Sequence, residues 1–202
     1  MTLDKAVLQK LAVRINVDAY VRIVARHHAA TPLGMGFGKT RFSSPRDKFK
    51  LLYLAQDPAT AVAEAIIRDR FEKKAERILL QEEFDAYSIA EIETEKPLFV
   101  LDLRYEGASL LGVSTDAVRA KAQTAGRRLS QQIYDRTRFD GIVYMSRITN
   151  RQCVAIYDRA VETTLRADAP ALDLPRLGLL PSILARLHVT IIAKPQDGKG
   201  SV

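Results

Sequence analysis

The 202 residues, 22.6 kDa in all, suit one domain able to bury its own core. With 47% apolar and 27% charged residues the chain is not disordered, its one cysteine excludes a disulfide framework or multi-cysteine metal site, and three histidines make no case for zinc. Lys and Arg number 31 against 24 Asp and Glu, a net charge of +7 and a pI near 9.6.

Asp4 to Arg14 places Val7, Leu8, Leu11 and Ile15 at helical spacing and predicts a short amphipathic helix. Tyr20–Val24 is β-rich and predicts a strand, followed by a glycine-rich loop from Thr31 to Pro45. Leu51–Ala55 is a compact apolar strand ended by Gln56-Asp57-Pro58. Asp57 suits an N-cap and Pro58 a first helical turn, so a helix is expected from Ala59 to about Phe71, with Ala61 and Ala65 facing inward. Phe84–Glu93 alternates and Pro97–Leu103 is apolar, which predicts two more strands. Ser114–Tyr134 carries helix formers interrupted at Thr124-Ala125-Gly126 and predicts two helices. Gly141–Met145 and Cys153–Tyr157 read as buried strands joined by a polar loop from Ser146 to Gln152. After Ala160 the chain reads as a linker, then a short helix near Ser182–Leu187, a last strand at Val189–Ala193 and a frayed polar tail. The sum is one α+β domain over residues 1–202, core 20–160, with a mixed or antiparallel sheet flanked by helices.

No apolar run is long enough to span a membrane, and the first twenty residues lack a secretory signal's layout, so a soluble cytoplasmic protein is expected. The positive charge is segregated. Residues 20–50 hold seven basic side chains and one acid, residues 119–159 nine and three, and residues 82–95 six acids and no base. The two basic segments point to an anionic partner or to a solvated basic surface.

Gly34-Met35-Gly36-Phe37-Gly38-Lys39-Thr40 is not a phosphate-binding P-loop. Leu33 stands where its first glycine belongs, and Arg41-Phe42-Ser43-Ser44-Pro45 follows instead of a helix. The dinucleotide fingerprint fails because Lys39 replaces its third glycine. A loop remains whose backbone can approach a ligand closely, ending in Lys39 and Arg41. Glu64 lies among alanines and isoleucines, so it is either a half-buried acid paired with an arginine or a carboxylate held in a cleft against developing positive charge. Ser146, just past a buried strand, is either a turn former or a side chain reaching that cleft. No histidine accompanies it, so a hydrolase triad has no support. Cys153 reads as a core residue, His27-His28 as loop residues, and Tyr53 as a core aromatic unless its ring faces the loop side.

Together, Tyr20–Val24 with Arg22, Arg41-Phe42-Ser43-Ser44-Pro45, Leu52-Tyr53-Leu54-Ala55 running through Pro58, Thr60-Ala61 and Glu64, and Asp140-Gly141-Ile142-Val143-Tyr144-Met145-Ser146 resemble the RES-domain family. These are the toxins of bacterial Xre–RES-type toxin–antitoxin pairs, named after an arginine, a glutamate and a serine. Thr40 and Ser43 depart from the glycine and asparagine frequent there. The resemblance implies a fold similar to the ADP-ribosylating toxins, NAD+ consumed as substrate without a metal, and neutralisation by an Xre-type antitoxin.

It further implies Glu64, Ser146 and Arg41 as catalytic residues, and Arg22, Arg41, Tyr53 and Ser146 as NAD+-binding ones. Three acceptors of ADP-ribose stay open: phosphate, with Arg41 or Arg151 beside it, water, or a target protein. Arg127, Arg128, Arg136 and Arg138 either meet an acidic antitoxin surface or form a solvated helix face. The competing class is a non-catalytic basic nucleic-acid-binding module. Only 7% aromatics, no tryptophan and no recognition-helix pattern speak against it.

Overall fold

The computed structural model describes residues 3–193 apart from 69, 72, 73, 75, 114–122 and 168. The chain opens with α1 (Lys5–Lys10), capped by Asp4, whose side chain accepts from the Ala6 N–H. The expected continuation to Arg14 does not form. Ala12–Ile15 is instead strand β1, because its β-branched residues pair antiparallel with β6 (Leu98–Asp102).

Strands β2 (Tyr20–Ala25), β3 (Leu51–Ala55), β5 (Tyr87–Thr94), β7 (Gly141–Met145) and β8 (Gln152–Tyr157) form the centre of the main sheet. Its order is β1-β6-β7-β8-β3-β2-β5-β10, where β10 is Leu172–Asp173, and β9 (Leu165–Ala167) also pairs with β5. Among the described residues, β6 and β7 are the one parallel pair of this sheet and the other pairs are antiparallel. A second, small sheet joins β4 (Ile78–Leu80) and β11 (Thr190–Ile192) in parallel.

The central strands read as continuous apolar runs because the sheet is buried on both faces. Along β3, Leu51 and Ala55 enter one core and Leu52 and Leu54 the other; along β8, Cys153, Ala155 and Tyr157 alternate with Val154 and Ile156 in the same way. The first core lies under α2 (Pro58–Val62), α5 (Gln123–Arg136) and α7 (Leu180–Arg186). The second closes against α6 (Asp158–Thr164) and the loop residues Leu33 and Met35. Gly141 lets β7 and β8 meet: a Cβ there would stand 2.3 Å from the Ala155 carbonyl oxygen.

Three further expectations change. Phe84 belongs to a short helix, α3 (Gln81–Asp85), so the fifth strand begins at Tyr87. The predicted break at Thr124–Gly126 is absent, since α5 runs through it with Gly126 buried. The first of the two helices expected there, from Ser114, lies outside the described residues; upstream of it α4 spans Gly107–Leu110. Beyond Ala160 the chain is no linker. It completes α6 and adds β9 and β10 to the edge of β5, where pairing satisfies backbone groups that a linker would leave to water. The tail after Ala193 is outside the described residues.

Candidate active site

The ladder between β2 and β3 consists of one register pair, Val21↔Ala55, whereas β3 and β8 share five and β2 and β5 six. The sheet therefore opens beyond Val21, and a cleft of about 280 Å³ lies at the opening. Val21, Arg22 and Ile23 form one wall and Tyr53, Leu54 and Ala55 the other. Its floor continues across the sheet in one row, Val21–Ala55–Cys153–Tyr144, set by consecutive register pairs. Thr40 and Arg41 from the glycine-rich loop, and Ala61, Glu64, Ala65 and Arg68 from the helical side, complete it.

Glu64 reaches the cleft through an unexpected turn. Asp57 caps α2 by accepting from the Thr60 N–H at 2.8 Å, with Pro58 in the first turn as expected. The helix does not continue to Phe71. Residues 63–67 widen into a π-turn, closed by the Arg68 N–H to the Ala63 carbonyl at 2.8 Å. The widening turns Ile66 and Ile67 into the core and leaves Ala65 exposed at the cleft rather than inward.

Both carboxylate oxygens of Glu64 are engaged. The Ser146 hydroxyl donates to Oε1 at 2.7 Å, and Arg68 Nη1 donates to Oε2 at 2.9 Å. Ser146 is buried and stands behind Glu64, outside the cleft lining, whereas Arg68 is on the cleft side. The serine also answers its turn-former reading. Its Oγ accepts from the Ile148 and Thr149 N–H groups, and its backbone closes the β7–β8 turn with Arg151 and Asn150. Asn150 supplies the left-handed residue that this turn requires, at φ +53°. Thr149 Oγ1 lies 2.9 Å from Thr60 Oγ1, which ties the turn to α2 and so holds serine and carboxylate together.

Two cations line the same cleft. Arg22 donates to the Pro32 carbonyl at 2.6 Å, and burial lowers its pKa to about 10. A guanidinium that has lost part of its hydration is receptive to an anion. Arg41 is buried, its Cζ 5.7 Å from the centre of the Tyr144 ring. The Tyr53 ring lines the cleft, but its hydroxyl is committed to the arginine loop: it lies 2.8 Å from Thr40 Oγ1 and accepts from the Phe42 N–H. Burial raises the pKa of Tyr53, against the hydrogen bond it shares with Thr40. Burial also holds the Tyr144 phenol and the Cys153 thiol well above their ordinary values, with Glu64's charge adding to both, so neither is a thiolate or phenolate nucleophile near neutrality.

Of the residues singled out above, Arg22, Arg41, Tyr53 and Glu64 meet in the cleft, and Ser146 supports it from behind. Arg151 does not line it; its Nε lies 3.4 Å from Asp57 at the start of α2. Arg127 is turned inward onto the Ser43 and Ser44 carbonyls and is no surface cation, whereas Arg128, Arg136 and Arg138 are exposed. Arg68 and Tyr144 were not singled out. Arg68 had a signal, the i, i+4 spacing from Glu64 that favours an ion pair. Among the described residues, no cluster of three His, Cys, Asp or Glu side chains could hold a metal ion, and no helix is long and apolar enough to cross a membrane.

The RES-domain model matches residues 19–176, a span that begins just before β2 and ends just after β10. This chain belongs to the RES-domain family. Another protein similar to this RES domain is the "Probable toxin y4kH" of Sinorhizobium fredii, 32% identical over 93 residues, 45% of this chain and 73% of that one. Among solved structures, a chain in the M. tuberculosis MbcT–MbcA toxin–antitoxin complex superposes with a TM-score of 0.64 at 17% identity, covering 93% of this chain and 99% of that one. That likeness is one of fold.

Proposed function

We propose that this RES domain is the toxin of a toxin–antitoxin pair and that it consumes NAD+ by cleaving the nicotinamide–ribose bond. The observation that carries the reading is Glu64, held at both oxygens in a cleft whose other walls present Arg22 and Arg41. The relative described as a probable toxin and the structural neighbour from a toxin–antitoxin complex support the biological role. An antitoxin, of the Xre type that the family resemblance implies, is the expected partner.

The residues fit the substrate. A cleft of about 280 Å³ is at the small end of ligand sites and suits the nicotinamide–ribose–phosphate half of the dinucleotide. Arg22 and Arg41 offer guanidinium groups to the pyrophosphate. The Tyr53 ring offers a stacking face, its hydroxyl being already engaged. In the cleavage the bond from ribose C1′ to the pyridinium nitrogen breaks. Its electron pair leaves with nicotinamide, which departs neutral, and positive charge develops on the ribose. Glu64 stabilises that charge from a site shielded from water, as carboxylates do in glycosidic chemistry. The acceptor's lone pair then forms the new bond at C1′ and its proton is released. Ser146 acts through Glu64 by fixing one carboxylate oxygen. Phosphate, water and a protein side chain are all compatible acceptors.

The test is to incubate purified protein with NAD+, with and without phosphate and with cell lysate, and to identify the products by mass. Free ADP-ribose, its phosphorylated form or an ADP-ribose mass gain on a protein tells the acceptors apart. Glu64→Gln should abolish NAD+ loss in a protein that still folds, with its melting temperature lowered by loss of the Arg68 ion pair. Undiminished NAD+ in every condition overturns the enzymatic reading.

A further inference from the structure

The loop that carries Arg41 has no helix or strand of its own between His28 and Leu51, yet Arg41, Phe42, Ser43 and Ser44 are all buried. Buried backbone carbonyls in such a segment need donors from elsewhere. For Ser43 and Ser44 they come from Arg127 of α5, and the same helix face binds the loop's side chains. Arg127 donates from Nε to the Ser43 carbonyl at 3.2 Å and from Nη2 to the Ser44 carbonyl at 2.7 Å. One turn on, Gln131 Oε1 accepts from the Ser44 hydroxyl at 2.7 Å; two turns on, Asp135 pairs with Arg46 and also accepts from Gln131. Residues 127, 131 and 135 lie four apart and so share a helix face. At the loop's other end Phe49 stacks on Tyr134 of the same helix, with ring centroids 4.5 Å apart.

We propose that Arg127 is a positioning residue for the cleft: by clamping the Ser43 and Ser44 carbonyls it fixes the loop that aims Arg41. This rests on the reading of the cleft as an NAD+ site and deepens it, because it assigns α5 the task of setting substrate affinity. Arg127 does not itself line the cleft. Its two donors make a fork that the single ammonium of lysine matches in part. The ion pair of Arg46 with Asp135 is exposed and contributes little to the clamp.

The test compares Arg127→Ala and Arg127→Lys with Arg159→Ala. Arg159 caps the Tyr134, Thr137 and Phe139 carbonyls away from the cleft and serves as a control for general destabilisation. Arg127→Ala should raise KM for NAD+ about tenfold with kcat within about twofold of wild type, the pattern of a displaced binding group. Arg127→Lys should recover part of that loss. Amide exchange over residues 40–46 should quicken in Arg127→Ala and stay at the wild-type rate in Arg159→Ala. Adding Arg127→Ala to Arg41→Ala should weaken binding no further. Wild-type KM with unaltered exchange over 40–46 overturns the proposal, as does an equal rise of KM in Arg159→Ala. If wild type consumes no NAD+, the cleft's reading fails, and exchange over 40–46 still decides whether Arg127 holds the loop.

Discussion

Ser146 and Glu64, 82 residues apart in sequence, are joined by a 2.7 Å hydrogen bond in which the serine hydroxyl donates to the carboxylate. The same oxygen of Ser146 accepts from two backbone N–H groups of its turn, so the hydroxyl proton is aimed at Glu64 by the fold. A charge-assisted bond of this kind is worth about 1.5–3 kcal/mol. Ser146→Ala should therefore lower kcat for NAD+ cleavage about 10–100-fold and leave KM nearly constant, because the serine lies outside the cleft lining. Steady-state kinetics beside a thermal melt checks this; unchanged kcat with a collapsed fold would return Ser146 to the role of a turn former.

Arg22 is a case in which binding and stability oppose each other. Its pKa is lowered to about 10 because burial disfavours the charged form. The cost of holding this cation in the fold is therefore full below about pH 10 and fades as pH rises beyond it towards the ordinary guanidinium value. Arg22→Met should leave the melting temperature at pH 7 no lower than wild type, while NAD+ affinity falls at least about tenfold through the lost phosphate contact. Calorimetric binding and a melt on the same sample decide it. A variant that binds NAD+ normally removes Arg22 from the site.

The buried phenols set an alkaline limit. Tyr144 is raised well above its ordinary 10.0, mainly by burial and then by the negative charges that Cys153 and Glu64 can carry. Tyr53 is raised in the same direction by burial. A raised phenol favours the neutral form in the fold, so its contribution is intact below about pH 10 and is lost as pH climbs towards the folded value. Urea midpoints should fall above pH 10 in wild type and fall less steeply in Tyr144→Phe. Parallel curves for the two proteins would show that another group sets the limit.

Gly141 is a close-packing glycine. An alanine Cβ there would stand 2.3 Å from the Ala155 carbonyl oxygen and 3.1 Å from the Ile156 Cα, both backbone atoms of β8 that cannot rotate away. Gly141→Ala should cost about 2–4 kcal/mol of stability, and it should impair catalysis as well, since β7 carries Tyr144 into the cleft and ends beside Ser146. Equilibrium urea unfolding measures the first effect and NAD+ turnover of the surviving folded fraction the second.

Local patterns were enough for β2, β3, β7 and β8 and for the Asp57–Pro58 start of α2, because apolar runs, β-branching and capping act between near neighbours in sequence. Such patterns marked Glu64 and Arg41 as candidates, while Arg22 and the binding role of Tyr53 came with the family resemblance; all four line the cleft. Local patterns failed where long-range pairing outweighed local propensity. Ala12–Ile15 left its helical pattern to pair with Leu98–Leu101, and the stretch after Ala160 became strands on the edge of β5. Gly126 did not break α5, where it is buried against the body despite its weak helix propensity.

What the chain's order of residues determined by itself is the two-faced burial of the central strands and the chemical types gathered for the site. Only the tertiary structure decided that the sheet opens after Val21↔Ala55, that a π-turn aims Glu64 into the opening, and that Ser146 stands behind it while Arg68 stands in front. Each of those depends on contacts between segments distant in sequence, such as Thr60 with Thr149 and Arg127 with Ser44. Their free energy belongs to the pair of segments, and neither segment's own pattern contains it.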